Sequence, residues 1–227
     1  MDQRYTVTID GPAGSGKSTA ARLLAERLGI VYLNSGAIYR AVTFKALQEG
    51  IDPEDGPAVL KMLTGTDIVF VPGDESAAVL VDGRDVTDQL GLSRVTEQVY
   101  KVADNPSVRV AVGKLTRRIV REQSFVAEGR DQGTVVFPDA QVKFYLDAGL
   151  NERGRRRHAD LSRAGEQVSL DDVVEALSER DRRDMTRKVG TLRRAEDAIY
   201  VDNSHLSIEQ TVDLLRQKVL ESLKRAD

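Results

Sequence analysis

The run Gly11-Pro12-Ala13-Gly14-Ser15-Gly16-Lys17-Ser18 constrains this chain more than any other stretch, because of what stands on either side of it. Before it, Tyr5-Thr6-Val7-Thr8-Ile9 is a short β-branched run of the kind that forms a buried parallel strand. After it, Ser18 to Leu28 carries apolar residues at helical spacing, and Gly29 closes the helix. A strand, a glycine turn and a helix in that order aim backbone N–H groups and the positive end of a helix at one point. What fits there is a phosphate. Gly11, Gly14 and Gly16 allow the backbone to approach it, Lys17 offers a point charge to the β and γ oxygens, and the Ser18 hydroxyl can ligate Mg²⁺. With Pro12, Ala13, Ser15 and Thr19 these residues form the expected triphosphate-binding stretch.

The pattern continues as a second short strand at Ile30 to Leu33 and a helix from Gly36 to Glu49, closed by Gly50. Strand and helix in alternation indicate an α/β fold with a parallel sheet. The middle of the chain differs. Ile68 to Pro72 and Ala78 to Val81, around Gly73-Asp74-Glu75-Ser76, read as a hairpin, with another turn at Asp82-Gly83. Residues 51–92 are therefore expected to form an inserted α+β lobe, leaving 1–50 and 93–227 as the core. Helical segments follow near Ser93–Ala103 and Ser107–Glu122, split by Asn105-Pro106. Strands resume at Phe125-Val126-Ala127, Val142–Leu146 and Ala198–Val201, with two helices between the last pair and a final helix from Ser207 to Lys224.

Composition removes several classes of chemistry. The sequence has no cysteine, which excludes disulfides, thiolate metal sites and cysteine nucleophiles. Its two histidines, His158 and His205, cannot build a multi-histidine zinc site. A net charge of −3 argues against nucleic-acid binding by bulk electrostatics. No apolar run approaches the ~18 residues of a membrane span, and Met1 to Arg4 carry no signal-peptide pattern, so a cytoplasmic protein is expected. Against this acidic background, residues 151–194 hold 12 Lys/Arg and 9 Asp/Glu, mostly arginines, whose planar fork suits phosphate.

Triphosphate binding alone is compatible with a kinase, a hydrolase motor or a guanine-nucleotide switch. No Asn-Lys-x-Asp guanine-reading motif is present. The strand at Phe125-Val126-Ala127 runs into Glu128-Gly129-Arg130-Asp131 rather than the acidic pair a motor would use, and an arginine there suits a second phosphate. Arg180, Asp184 and Arg187 fall at i, i+4 and i+7, on one helical face, where they either serve a ligand or form ordinary surface ion pairs.

Three segments carry a resemblance: Asn34-Ser35-Gly36-Ala37-Ile38-Tyr39-Arg40, Gly129-Arg130-Asp131-Gln132-Gly133-Thr134-Val135-Val136-Phe137-Pro138, and Arg180-Asp181-Arg182-Arg183-Asp184-Met185-Thr186-Arg187. In order and spacing around the loop the chain resembles the bacterial cytidylate kinases, from Tyr5 to about Gln210. The resemblance implies a P-loop nucleoside-monophosphate kinase fold. This is a five-stranded parallel sheet flanked by helices, with an inserted monophosphate-binding lobe and a mobile lid at about 151–167. It implies Mg²⁺-dependent transfer of the ATP γ-phosphoryl to CMP or dCMP by a monomer. The alternatives are a P-loop kinase with another acceptor, UMP or a non-nucleotide hydroxyl, or a switch protein that hydrolyses nucleotide slowly.

By the same resemblance, Arg40 and Arg130 would hold the acceptor phosphate, with Ser35 and Tyr39 beside it. Asp131 would take the cytosine N4 amino group and Arg109 its acceptor edge. Asp184 and Arg187 would meet the sugar or base, and Arg180 the phosphates. In the lid, which also carries Arg155 and Arg156, Arg153 and Arg157 would reach the transferring phosphoryl, acting with Lys17 and Arg130. Adenine is expected near Asp202-Asn203-Ser204-His205, after the last strand. The sequence departs from the family pattern at Asn34 (often Asp), Gly91 (commonly Arg), Tyr100 (Ser expected) and Gly190-Thr191-Leu192 (usually Ala-Pro-Leu).

Overall fold

The computed structural model describes residues 4–71 and 78–224. Its chain forms two compact units, Met1–Leu33 with Ser124–Asp227, and Asn34–Gln123.

The first unit is built on a five-stranded parallel sheet. Its strands are β1 (Thr6–Asp10), β2 (Val31–Asn34), β6 (Phe125–Gly129), β7 (Val142–Asp147) and β8 (Ile199–Asp202), in the order β2-β6-β1-β7-β8. The chain steps to one side of β1 to make β2 and β6, then to the other to make β7 and β8. The order thus reverses at β1, the place where open α/β sheets bind ligands beyond the carboxyl ends of their strands. Central strands are buried on both faces, so even their polar residues Thr8, Glu128 and Lys143 lie inside. Helices α1 (Lys17–Leu28) and α9 (Ile208–Lys224) pack together and against the sheet, closing a core of Val7, Ile9, Leu24, Val126, Phe144, Leu146, Val201, Leu215 and Val219. Helices α7 (Leu150–Arg163) and α8 (Leu170–Thr186) form a hairpin over the expected lid. His158 Nε2 lies 3.1 Å from the Val168 carbonyl oxygen across its connection.

The second unit contains α2 (Ser35–Gln48), α3 (Gly56–Thr64), an antiparallel sheet of β3 (Ile68–Val71), β4 (Ala78–Val81) and β5 (Arg84–Asp85), and the helices α4 (Ser93–Thr96), α5 (Val99–Asp104) and α6 (Pro106–Ile119). The expected hairpin is there, while its Pro72 and Gly73-Asp74-Glu75-Ser76 lie outside the described residues. This unit is wider than the 51–92 lobe. Helix α2 packs on α3, α5 and α6, so residues on both sides of the lobe share its core of Ile38, Val42, Val59, Ile68, Val102, Val108 and Val112. The segment near Ser93–Ala103 is two short helices rather than one. Helix α6 starts at Pro106 because Asn105 caps it, accepting from the N–H groups of Ser107 and Val108, and proline fits the first helical position. Among the described residues no helix is long and apolar enough to cross a membrane.

Candidate active site

The glycine loop leaves β1 and enters α1 as its sequence dictates. A Cβ on Gly11 would lie 2.0 Å from the Leu146 carbonyl oxygen, so the loop passes β7 where only glycine fits. Gly16 caps α1 at φ 82°, a left-handed conformation other residues rarely adopt. Side chains hold the loop's carbonyls. Lys17 Nζ donates to Pro12 O (2.9 Å), Arg153 Nη1 to Ala13 O (2.9 Å) and Asn203 Nδ2 to Ser15 O (2.9 Å). Because the peptides are trans, the N–H groups of Gly14 and Gly16 point away from Arg153 and Asn203, leaving them for an anion. Ala13 N–H instead donates to Asp181 Oδ1 (3.1 Å).

Charges gather at the carboxyl ends of β1 and β6. Lys17 is buried, and burial first, then Arg130, pushes its ammonium down to about 7, while Glu128 and Asp184 pull the other way. An anion bound beside Lys17 would favour its charged form. Ser18 Oγ donates to Glu128 Oε1 (2.9 Å), pairing a hydroxyl with a buried carboxylate. These hard oxygens suit Mg²⁺, which takes few protein ligands and keeps water and phosphate oxygens for the rest. Glu128 was absent from the expected site set. Its signal is its place as an acidic residue one position before the end of a fully buried strand.

Asp184 lies between two of the expected arginines. Its Oδ2 accepts from Arg130 Nε at 2.6 Å and its Oδ1 from Arg187. Arg187 stands just past the end of α8, and Arg180 is exposed on that helix. Burial alone would raise the Asp184 carboxyl, but Arg130, Arg187 and Arg180 together hold it below its ordinary 3.8. A carboxylate lowered in this way adds stability above its unfolded-state value, and that stability is lost as pH falls through the lowered one. The urea midpoint of the wild type is therefore expected to exceed that of Asp184→Asn at neutral pH, with the gap closing on acidification below about 4. A gap independent of pH would remove the ion-pair account.

The lid arginines divide. Arg153, which the resemblance assigns to the transferring phosphoryl, here bonds the glycine loop. Its Nε donates to Ala148 O (2.9 Å) and its Nη1 to Ala13 O and to Asp181 Oδ2 (2.5 Å), with the residue buried. The reason is local: Arg153 stands in the first turn of α7, directly over the loop, where a carboxylate of α8 meets it. Arg156 donates to the Asn203 side chain (3.1 Å) and backbone carbonyl (2.8 Å), linking α7 through Asn203 to Ser15. Arg155 and Arg157 are exposed. The loop expected near adenine thus supports the glycine loop through Asn203, which is 2% exposed.

In the second unit, Arg109 is buried, with its guanidinium 5.2 Å from the centre of the Tyr39 ring and Nη1 donating to Ala103 O (3.0 Å). Ser35 and Tyr39 are buried in the first turns of α2, and Arg40 is half-buried there. Asn34 caps that helix, accepting from Ala37 N–H at 3.0 Å, as an aspartate would. Tyr100 is exposed on α5, and Thr191 Oγ1 donates to the Arg187 carbonyl.

A glycine loop at the switch point of a parallel sheet, backed by a buried lysine and a run of arginines, defines an α/β P-loop protein of the kinase type. A solved structure from Thermus thermophilus shares the fold, with TM-score 0.50 and 20% identity over 98% of this chain and 99% of that one. The cytidylate kinase family model matches residues 7–221. The cytidylate kinase of Carboxydothermus hydrogenoformans is 45% identical over 96% of this chain and 97% of its own. That of Oceanobacillus iheyensis is 40% identical over 96% and 95%. The chain belongs to the cytidylate kinase family.

Proposed function

We propose that this protein transfers the γ-phosphoryl of ATP to CMP or dCMP, giving ADP and CDP or dCDP. An oxygen of the acceptor phosphate forms the new P–O bond as the bond to the ADP oxygen breaks. The acceptor is already an anion, so no strong general base is needed. Catalysis reduces to holding two polyanions in line and neutralising the charge on the group in transit. The observation that carries this reading is a fully buried Asp131 following the half-buried Arg130 at the end of β6, one residue for the base and one for phosphate.

Lys17 and the loop amides would bind the donor. Ser18 and Glu128 would hold Mg²⁺, which when bound neutralises the β and γ oxygens. Arg130 and the exposed Arg157 would meet the transferring phosphoryl, while Arg153 acts by holding Ala13. Arg40 and Arg109, with Ser35 and Tyr39, are the second unit's candidates for the acceptor, and Asp184, Arg187 and Arg180 those of α8. Cytosine offers an N4 donor beside N3 and O2 acceptors, and a carboxylate at Asp131 matches N4. Uracil would turn a carbonyl toward that carboxylate. We place the protein in the cytoplasm as a monomer acting on small molecules, with no nucleic-acid partner.

The test is ADP release with ATP and a panel of CMP, dCMP, UMP, AMP and GMP. CMP or dCMP is expected to exceed UMP in kcat/KM by about 100-fold or more. Comparable turnover of UMP would overturn cytosine readout. Slow ATP hydrolysis with no transfer would point to a switch protein.

A further inference from the structure

Asp10 ends β1 beside β6, paired in register with Gly129, one residue before Arg130. It is 4% exposed, and both of its oxygens are committed to backbone. Oδ1 accepts from Gln132 N–H at 2.8 Å and Oδ2 from Gly133 N–H at 2.7 Å. Those donors open a wide turn, Gln132–Val136, in which Val136 N–H bonds Asp131 O and Phe137 N–H bonds Gln132 O, five residues back. The first N–H groups of such a turn have no partner inside it. Asp10 supplies one from another strand. The turn also sits hard against β1, since a Cβ on Gly133 would lie 2.7 Å from Thr8 Oγ1.

This arrangement is costly. Burial pushes the Asp10 carboxyl up to about 7 against the pull of the two N–H groups, and Asp131 adds repulsion. An asparagine would carry no charge, but it has one oxygen for two donors, and its amide would turn N–H toward N–H. Only a carboxylate accepts both bonds with one short side chain.

We propose that Asp10 is a positioning residue for nucleotide selection: by gripping the N–H groups of Gln132 and Gly133 it fixes the backbone from which Asp131 is presented to the base of the acceptor. The proposal rests on the reading of Asp131 as the cytosine partner. Displacement of a recognition group by about 1 Å can cost about 100-fold, and here the loss falls on the acceptor side alone.

The experiment compares wild type, Asp10→Asn and Gly133→Ala, with Thr8→Ser as the control that keeps the oxygen beside Gly133 and leaves the clamp intact. KM and kcat are measured for ATP, CMP and UMP. In Asp10→Asn, KM for ATP should stay within about twofold, while kcat/KM for CMP falls about 100-fold and that for UMP falls far less, so selectivity collapses. Gly133→Ala should give the same signature with Asp10 present, because its Cβ pushes the turn off β1, and it decides the matter if Asp10→Asn does not fold. Equal losses for ATP and CMP, or an unchanged CMP-to-UMP ratio, would overturn the proposal. A wild type that does not prefer CMP would instead overturn the proposed function. A selective wild type with selective variants would overturn the role of Asp10 alone.

Discussion

Lys17→Met should lower kcat for phosphoryl transfer by about 10²–10³-fold while leaving the urea midpoint unchanged or slightly higher. The two effects have opposite causes. Lys17 is buried, its Nζ bonds the Pro12 carbonyl, and burial with Arg130 beside it brings its ammonium down to about 7. Methionine fills much the same volume without a charge to desolvate, so the folded state loses little. During transfer the requirement reverses. Charge develops on the oxygens between donor and acceptor, and a preorganised cation in a site shielded from water stabilises it strongly. Lys17→Arg should not restore activity, because a planar fork cannot take the place of a compact ammonium beside Pro12. Paired measurements of kcat and urea midpoint decide the matter. Losses of activity and stability in proportion would make Lys17 a structural residue.

Legibility in the sequence followed the range of the interactions. The loop from Gly11 to Ser18 could be read because its signals are local: a β-branched strand, glycines and a helix start within about twenty residues. The parallel sheet followed from the same alternation. The breadth of the second unit did not, because α2 and α6 join it only by packing across the chain. Arg153 shows the limit most clearly. Its place on the lid helix was legible, but its partner Ala13 lies 140 residues away, and nothing in an arginine-rich run says which arginine turns inward. Asp10 is similar, since its bond to Gln132 spans 122 residues and the wide turn it caps has no periodic signature. Glu128 could have been found as an acidic residue one position before a strand end. It stands alone there, where a motor-type site would carry an acidic pair.

Asp181→Ala is the substitution expected to cost most stability, about 3–5 kcal/mol, because it strands a buried guanidinium. Asp181 does two things at once. Its Oδ2 pairs with Arg153 Nη1 at 2.5 Å and its Oδ1 accepts from Ala13 N–H at 3.1 Å, with both side chains almost wholly buried. Arg153 in turn donates to Ala13 O, so one residue of the glycine loop is held by its N–H and its C=O together. Removing the carboxylate leaves an uncompensated charge and a loosened loop. These consequences separate in a double mutant. Arg153→Met with Asp181→Ala removes the stranded charge, so it should be more stable than Asp181→Ala alone, a non-additive result of the kind residues in contact show. It leaves Ala13 without either partner, so KM for ATP should remain raised about tenfold in both variants. Chemical denaturation and ATP titration check the two arms. Additive losses of stability would remove the ion-pair account. Recovery of ATP affinity in the double mutant would mean that the stranded charge, and not the grip on Ala13, had disturbed the loop.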